Sequence, residues 1–416
     1  MKNIAVVGAG IIGICCALEL KRKGFNVTLF DEFLPASQTS SGNAGVICSA
    51  GITPYASPEI LPHLPAYALN IYPKFKFYWP HIFQIFPFLV QFVKNCNWRD
   101  YEQSVKALHY ITRDAVDLHT KLMAEANSGH LLRDRGWLKL YRTDKAFAAS
   151  ARERQNYKRY GVSATILETD GIRELEPAII RNYTKAILLE GSPFVTNPRA
   201  VCESYFNRFI ALGGQFEQKR ISQVTPAQDS WKIGGYACSY QFQDVVIAMG
   251  SMSTRLLSAL KIKIPMAIER GYHLAFSMQE SSALSRSIVD TQKGLVMTPM
   301  YVDDQSLVRV TSAVNLIAHK TTHQHSQILN LIPEMHTMLP LDQQLLDEPW
   351  TGHRPSTPDS IPVIGAAPNN PGLWLAFGHG HLGLTLGPKT GKLIADGVAG
   401  DKKDLEADAF SADRFC

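Results

Sequence analysis

The feature that most constrains the fold of this chain is a cluster of glycines close to the N-terminus. Residues 4–7 form a short apolar run of strand-forming type, and Gly8, Gly10 and Gly13 follow in the spacing GxGxxG at the start of a helical pattern. The order strand, glycine turn, helix is typical of a βαβ unit that binds a dinucleotide. The sequence therefore predicts an α/β chain (α+β overall) that contains a Rossmann-like domain.

Each part of this unit has a physical role in dinucleotide binding. Gly8 permits the tight turn, Gly10 lets backbone amides approach a pyrophosphate at the helix N-terminus, and Gly13 allows close helix packing. Residues 26–30 predict a second buried strand, and Asp31, eighteen positions after Gly13, can accept hydrogen bonds from ribose hydroxyls. The alternative is that the glycines merely turn a buried strand. The pattern alone does not distinguish FAD from NAD.

Apolar periodicity predicts further elements along the chain. The strand-like segments are residues 136–142, 186–191, 231–249, 267–278 and 373–377, and the helical segments are residues 99–127, 251–260 and 389–400. Two of the later strands run directly into glycines, as the first strand does. This order predicts two interleaved domains, a cofactor-binding domain that shares the strand-to-glycine units and a second domain built from the intervening strands.

The predicted domain division follows from the places where these units occur. The cofactor-binding domain is assigned residues 1–50, 190–265 and 345–416, and the substrate domain residues 51–189 and 266–344, including an aromatic insert at 72–98. The length of 416 residues, with 45% hydrophobic and 19% charged residues, provides for two or three domains and excludes a disordered, collagen-like or disulfide-stapled chain.

Charge and cysteine content exclude other classes. The chain has 42 Lys and Arg against 37 Asp and Glu, and a net charge of +5 is too small and scattered to indicate a nucleic-acid-binding surface. Seven cysteines are an odd number without a CxxC pair, which indicates a reducing compartment and neither a zinc site nor a redox dithiol.

A second segment favours cofactor binding. Residues 38–49 (QTSSGNAGVICS) place small and hydroxyl side chains after the second predicted strand, where they can bond a phosphate and let a flat ring approach closely. On composition alone, an ordinary polar loop is the alternative.

Five motifs taken together resemble one family. VVGAGIIG, TSSGNAGVI, DVVIAMGSMS, WTGHRPSTPDSIPVIG and GHGHLGLTLGPKTGKLIAD occur in this order over nearly the whole chain. They look like the D-amino-acid oxidase superfamily of FAD enzymes, and more closely they are similar to the small subunit of bacterial D-amino-acid dehydrogenases and to the hydroxyproline dehydrogenases. The resemblance implies FAD as the cofactor and a mixed-sheet substrate domain beside the FAD-binding domain.

Arg354 and Tyr272 are the expected catalytic-site residues. Arg354 lies in a polar loop stiffened by prolines, where a guanidinium can receive a carboxylate in two parallel hydrogen bonds. The alternative is a structural arginine that bonds carbonyl groups, but by the resemblance Arg354 matches the arginine that binds the substrate carboxylate. Tyr272 is similar to the tyrosine of the family's GY motif and is expected near that carboxylate; the alternative is an aromatic residue on a sheet face.

The resemblance also implies a set of cofactor-binding residues. They are Gly8, Ala9, Gly10, Ile11, Ile12, Gly13, Asp31, Glu32, Ser40, Ser41, Gly42, Asn43, Ala44, Gly45, Val224, Ala248, Gly250, Gly378, Gly380, His381, Leu382, Gly383, Leu384 and Thr385. The turn around His381 and the helix after it are expected to meet the N1 and C2 carbonyl edge of the flavin, where a helix N-terminus stabilises negative charge.

Metal binding is the competing interpretation of several histidines. His319, His323 and His325 lie close together in sequence, and His379 and His381 form an HxH pair. No cysteine or carboxylate ligand set accompanies them, so we expect no metal site.

The sequence thus predicts an FAD-dependent dehydrogenase that oxidises the Cα–N bond of a D-amino acid or of a cyclic imino acid such as D-hydroxyproline or D-proline. The Cα hydride passes to flavin N5 and the electrons to a quinone or respiratory carrier. The alternatives are an oxidase that uses dioxygen, of the glycine or sarcosine oxidase type, and a flavin-binding subunit of a hetero-oligomeric dehydrogenase.

The aromatic stretch at residues 72–98 bears on where the protein acts. Pro80 and Pro87 divide the stretch, so it is not expected to span a membrane. It can lie in a membrane interface with Lys74, Lys76 and Lys94 at the headgroups, and the alternatives are core packing or a contact with a partner subunit. The expected location is the bacterial cytoplasm, with peripheral contact to the inner membrane.

Overall fold

The computed structural model describes residues 1–72, 75–235, 238–302, 305–318, 325–401 and 405–415. Its strands are β1 (Asn3–Val7), β2 (Asn26–Asp31), β3 (Phe75–Phe77), β4 (Leu132–Arg133), β5 (Trp137–Tyr141), β6 (Ala164–Glu168), β7 (Lys185–Leu189), β8 (Phe194–Val195), β9 (Gln215–Gln218), β10 (Gln223–Ala227), β11 (Ser230–Gly235), β12 (Cys238–Phe242), β13 (Asp244–Ile247), β14 (Ala267–Phe276), β15 (Ser287–Asp290), β16 (Leu295–Val302), β17 (Gln305–Ile317), β18 (Trp350–Ser356), β19 (Val363–Ala366) and β20 (Leu373–Phe377).

The α-helices follow the same chain order. They are α1 (Ile11–Arg22), α2 (Leu64–Ala68), α3 (Ile82–Asn95), α4 (Trp98–Thr112), α5 (Ala115–Glu125), α6 (Asp144–Ala149), α7 (Ala151–Arg159), α8 (Thr169–Leu175), α9 (Pro198–Ala211), α10 (Ser253–Leu257), α11 (Ser326–Leu329), α12 (Ile332–Met338) and α13 (Gly383–Ala399). Short 3-10 helices lie at Pro58–His63, Trp79–His81, Gly129–Leu131, Gly250–Met252, Ser258–Leu260, Glu280–Ser282, Gly380–Leu382, Leu405–Phe410 and Ala412–Phe415.

The first large sheet is six-stranded, in the order β19-β20-β13-β1-β2-β9. All its neighbouring strands are parallel except the edge pair β19 and β20. Residues 4–7 of β1 are buried on both faces, as the central strand of a parallel sheet requires. The carboxyl ends of β1, β13 and β20 therefore share one edge, and the glycine segments that follow these strands lie there together.

The second large sheet is nine-stranded and mixed. Its main path is β18-β14-β17-β16-β15-β5-β7-β6, and β3 adds to β17. The pairs β15–β5 and β17–β3 are parallel, and the remaining pairs are antiparallel. Because side chains alternate between the two faces of a strand, about half of the residues of each strand point to one face of this sheet. A three-stranded sheet β10-β11-β12 and a β4-β8 pair complete the strands.

The structure corrects one boundary of the predicted domain division. Strand β18 falls within residues 345–416, which were assigned to the cofactor-binding domain, but it pairs along its length with β14 of the nine-stranded sheet. The strand that carries Arg354 thus belongs to the substrate-side sheet, and the chain returns to the first sheet only at β19. The predicted helix at 251–260 is likewise divided into short helical segments, and that at 99–127 is divided into α4 and α5.

Helix α13 begins at Gly383, six residues before the predicted start at residue 389. Glycine and proline in this segment indicated a turn by local preference, but packing decides otherwise. A Cβ atom on Gly391 would lie 2.5 Å from the carbonyl oxygen of Cys15, so α13 crosses α1 in backbone contact. Gly391 lies within the predicted helix, and the additional first turns of α13 also meet α1, since a Cβ atom on Gly387 would lie 3.0 Å from Ile11 Cγ1.

Pro388 lies inside α13 and has no N–H to donate, so the carbonyl of Leu384 lacks its usual helical partner. The fully buried His119 replaces it: His119 Nε2 donates to the Leu384 oxygen at 2.8 Å, and Nδ1 accepts from the hydroxyl of Tyr205 at 2.8 Å. Burial lowers the pKa of His119 to about 4, so the ring is neutral at pH 7, as this arrangement requires.

We predict that His119→Leu lowers the free energy of unfolding by about 1–3 kcal/mol, because the buried Leu384 carbonyl loses its only compensating donor among the described residues. Pro388→Ala restores a backbone N–H to that carbonyl, so the same His119 substitution should cost less in the Pro388→Ala background. Urea unfolding of the four proteins, followed by circular dichroism, measures the difference. An equal loss in both backgrounds would contradict the assigned hydrogen bond.

Candidate active site

A cavity of about 1310 Å³ is lined by residues of both large sheets and of the loops between them. Pockets for ordinary small ligands measure about 300–1,000 Å³, so this cavity has room for a dinucleotide together with a small substrate. One end is formed by the glycine turn after β1, and the floor is formed by strands of the nine-stranded sheet, among them β14, β17 and β18.

The glycine turn has the geometry of an anion-binding loop. Helix α1 begins at Ile11, and Gly10 precedes it without a side chain over the helix end. The Ala9 N–H donates to Asp31 Oδ2 at 2.6 Å, and the Ile11 N–H donates to Ser40 Oγ at 3.0 Å. A Cβ atom on Gly13 would lie only 1.7 Å from the Gly8 carbonyl oxygen, so the helix rests directly on the turn.

Most of the expected cofactor-binding residues line the cavity. These are Gly10, Ile11, Ile12, Asp31, Glu32, Ser40, Gly42, Asn43, Ala44, Ala248, Gly250, Gly380, His381, Leu382, Gly383, Leu384 and Thr385. Their role toward FAD stays a prediction. Gly8, Ala9, Ser41, Gly45 and Gly378 are not lining residues and lie in the turns and loops next to the cavity, and Gly13 lies in the first turn of α1.

Val224 was expected to bind the cofactor, but the structure places it elsewhere. It lies in β10, is fully buried, and packs in the apolar core that the three-stranded sheet forms with β13. Its neighbours in sequence, Arg220, Ile221 and Ser222, line the cavity instead. Because alternate residues of a strand face opposite sides, a small shift in register separates a lining residue from a core residue.

Buried hydroxyl groups provide a test of whether the cavity fits a polar cofactor. The Oγ1 atoms of Thr53, Thr311 and Thr351 are buried and have no hydrogen-bond partner among the described residues, and all three threonines line the cavity. Buried hydroxyls without a partner are costly, and such groups usually meet a ligand or ordered water. The donor set therefore fits a cofactor with phosphates and a polar ring edge.

Arg354 lies on the cavity floor in β18, directly opposite Glu269 in β14. Its guanidinium lies over Gly271, where an added Cβ would be 2.4 Å from Nη2. The guanidinium forms neither a hydrogen bond nor a close ion pair with a described residue. Its planar set of donors is thus free to receive a carboxylate in two parallel hydrogen bonds.

Tyr272 is not part of this surface, which corrects the prediction that it assists at the substrate carboxylate. Its side chain is fully buried in the core beneath the sheet, and its hydroxyl accepts a hydrogen bond from Asn315 Nδ2 at 2.7 Å. Alternation along β14 explains the difference, because Gly271 faces the cavity and the next residue must face away. Gly271, not Tyr272, is the residue of this motif that contacts Arg354.

A tyrosine that the sequence did not single out lies near Arg354 instead. The hydroxyl of Tyr55 lies 3.0 Å from Nδ1 of His381, and both residues line the cavity. The His381 ring opens to the cavity but is surrounded by protein, and this burial together with the Arg354 charge lowers the pKa of His381 to about 4. His381 is therefore neutral at pH 7. Tyr55 was missed because it stands in a proline-rich loop without periodic pattern.

A buried ion pair forms another part of the wall. Lys139 Nζ in β5 lies 2.6 Å from Glu153 Oε1 in α7 and 3.3 Å from the Tyr157 hydroxyl, and all three residues line the cavity. The local pattern did not indicate this pair, since the lysine stands in an apolar strand segment. Cys48 lies nearby, and burial raises the pKa of its thiol to about 12, so it is not a thiolate at pH 7.

The histidines show no metal site within the part of the chain that the structure describes. His319 and His323 lie outside the described residues. Among the described residues, no group of three His, Cys, Asp or Glu side chains is placed to hold a metal ion. His379 is buried, and its Nε2 lies 3.0 Å from the hydroxyl of Thr390.

Comparison with known proteins gives a consistent result over the whole chain. The sequence model of the family described as "FAD dependent oxidoreductase" (DAO) matches residues 3–397. A D-amino-acid oxidase of Bradyrhizobium diazoefficiens is 27% identical over 427 residues, and the alignment covers 100% of this chain and 99% of that protein.

Solved structures share the fold. Glycine oxidase from Geobacillus kaustophilus superposes with a TM-score of 0.76 at 20% identity, and the superposition covers 99% of each chain. L-proline dehydrogenase from P. horikoshii superposes with a TM-score of 0.77 at 15% identity, covering 100% of this chain and 97% of the other.

We predict that Gly271→Ala displaces the Arg354 guanidinium and weakens the binding of small carboxylates at least about tenfold, as expected from the loss of a charge-assisted hydrogen bond. Bound flavin should be retained, because Gly271 lies away from the glycine turn. Titration of the flavin absorbance with a carboxylate measures the affinity. Gly129→Ala is the matched control, since its new methyl group meets no atom within 4 Å. Unchanged affinity in Gly271→Ala would remove Arg354 from the carboxylate site.

Proposed function

The chain belongs to the DAO family of FAD-dependent oxidoreductases, and from this premise we propose that it oxidises the Cα–N bond of a D-amino acid or of a cyclic imino acid such as D-hydroxyproline or D-proline. Electrons pass to a quinone or another respiratory carrier. The observation that carries the proposal is the unpaired guanidinium of Arg354, which lies over Gly271 in the same cavity as the glycine turn.

The chain's own residues can hold the cofactor along one side of the cavity. The turn at Gly10 and the N-terminus of α1 would receive the pyrophosphate, and Asp31 would receive ribose hydroxyls. Both Asp31 oxygens already accept backbone hydrogen bonds, from Ala9 and Phe33, which fix the carboxylate while leaving further acceptor capacity. When bound, FAD accepts the two electrons of the oxidation as a hydride.

The substrate is oriented from the floor of the cavity. Arg354 binds its carboxylate, and the hydrogen bond to His381 fixes the Tyr55 ring beside that position, whichever of the two groups supplies the hydrogen. A fixed carboxylate places Cα at one position and so reduces the entropy cost of reaching the transition state. The α13 N-terminus at Gly383 also lines the cavity and favours negative charge there.

An oxidase that reduces dioxygen is the second candidate. The curated relative is named a D-amino-acid oxidase, and one of the similar solved structures is a glycine oxidase. Both activities use the same carboxylate site and differ only in what takes the electrons from the flavin. A flavin-binding subunit that needs a partner for turnover is the third.

The aromatic segment supports a lipid-soluble acceptor. Helix α3 has two apolar faces: Phe88 and Phe92 line the cavity, whereas Phe83 is 89% exposed and Phe86 is 58% exposed. Lys94 lies at the end of this helix and is also exposed. We infer that the outer face rests on an anionic membrane, where the acceptor would be dissolved. Among the described residues, no helix is long and apolar enough to cross a membrane.

We predict that D-proline or another D-amino acid bleaches the flavin absorbance when it is mixed with the purified protein without oxygen. Mixing the reduced protein with air then separates the two enzyme classes: slow reoxidation with rapid reoxidation by a soluble quinone supports the dehydrogenase, and rapid formation of peroxide supports the oxidase. Steady turnover by the single chain would exclude the subunit. Failure of every amino and imino acid to bleach the flavin would overturn the proposal.

We predict that replacing Phe83 and Phe86 by Ser reduces binding to vesicles of phosphatidylglycerol and phosphatidylethanolamine, because exposed apolar area is lost. Activity with a soluble acceptor should persist. The control replaces Ile166 and Leu405, which are exposed elsewhere on the surface, by Ser in the same way. Co-sedimentation measures binding, and equal sedimentation of both double variants would argue against membrane contact through α3.

A further inference from the structure

Glu269 is an acidic residue on the cavity floor that the proposed function does not use. It stands in β14 directly opposite Arg354 in β18, and both side chains line the cavity. Directly opposed residues of antiparallel strands have Cβ atoms about 4.5–5.5 Å apart. A carboxylate and a guanidinium thus stand side by side on the same surface.

The two charged groups do not neutralise each other in a close ion pair. Among the described residues, the guanidinium of Arg354 has no ion-pair partner, and neither has the carboxylate of Glu269. Burial raises the pKa of Glu269, and the charge of Arg354 and a side-chain hydrogen bond with Ser356 oppose this shift. Arg354 is therefore near enough to act on Glu269 electrostatically, yet its donors remain directed at the cavity.

Two neighbouring charges of opposite sign that form no close ion pair with each other are complementary to a zwitterion. In an α-amino or α-imino acid, the carboxylate and the charged nitrogen are attached to the same carbon, so both can reach adjacent partners on one surface. The carboxylate matches the planar donors of Arg354, and the N–H groups match a carboxylate acceptor. A monovalent carboxylate without nitrogen would leave Glu269 without an ion-pair partner.

We propose that Glu269 binds the amino or imino nitrogen of the substrate while Arg354 binds its carboxylate. This assignment rests on the proposed function and deepens it, because it identifies the residue that selects amino and imino acids over other carboxylic acids. A ligand that lacks the nitrogen is expected to bind much more weakly, since the partly buried Glu269 carboxylate is then left without an ion-pair partner.

The test compares two ligands that differ only at the nitrogen. D-proline carries the imino group, and cyclopentanecarboxylate replaces it by carbon. The full-length FAD-loaded protein is used as the wild type, Glu269→Gln, Glu269→Asp and the control Glu280→Gln, whose side chain is exposed. Flavin absorbance reports retained cofactor, the half-saturating D-proline concentration for anaerobic bleaching, and the dissociation constant of cyclopentanecarboxylate.

We expect Glu269→Gln to raise the half-saturating D-proline concentration at least about tenfold, which corresponds to about 1.4 kcal/mol. Cyclopentanecarboxylate should bind as well as before or more tightly, because a negative charge is removed. Glu269→Asp should recover part of the D-proline affinity, and Glu280→Gln should match the wild type.

Parallel weakening of both ligands would overturn the assignment, because it would mean that Glu269 only positions Arg354. Unchanged affinity for both ligands would also overturn it. Failure of the proposed function is distinguishable, since the wild-type flavin would then be bleached neither by D-proline nor by any other amino acid.

Discussion

The fold depends on backbone contact at two glycines. At Gly13 the helix α1 rests on the carbonyl of Gly8, and at Gly391 the helix α13 rests on the carbonyl of Cys15. In both places a side chain would occupy the space of a backbone atom, so only glycine allows the approach. The first residues of both helices line the cavity, and the contact at Gly391 packs the two helices against each other.

The alternation of side chains along the strands of the second sheet determines which of its residues face the cavity. On β14, Glu269 and Gly271 face the cavity, whereas Arg270 and Tyr272 face away and are buried. The absence of a side chain at Gly271 lets the guanidinium from β18 lie across the strand. The motif was predicted to place Tyr272 at the substrate, but its contribution to the cavity is Gly271, which leaves space for the guanidinium of Arg354.

The sequence predicted best what depends on local backbone requirements and least what depends on long-range packing. The glycine turn after β1 follows from a short motif whose geometry is local, whereas the strand-like segment predicted at 231–249 is divided among β11, β12 and β13. Tyr55 meets His381 only because a loop returns across the cavity from a distance of more than three hundred residues. Nothing in the local pattern around either residue encodes that meeting.

The start of α13 is a second case in which a residue distant in sequence overrides local preference. Local preference places Pro388 outside a helix because it removes a hydrogen bond and crowds the preceding turn. The structure tolerates it because the imidazole of His119, from another helix, donates to the carbonyl that proline leaves unpaired. A residue pair distant in sequence thus allows the helix to begin early enough for Gly383 to reach the cavity.

The charged groups of Arg354 and Glu269 form no ion pair with each other, which lowers the stability of the fold but leaves both groups available to a ligand. The two residues stand at opposed positions of β14 and β18 without a close ion pair, and the Glu269 carboxylate has a hydrogen bond with Ser356. Partly buried charges without partners destabilise a fold. A ligand that binds Arg354 and Glu269 at once gains favourable binding free energy from both charges. A ligand that binds only one of them leaves the other charge without an ion-pair partner. The site therefore selects its ligand by the need of both charged groups for ion-pair partners as well as by its shape.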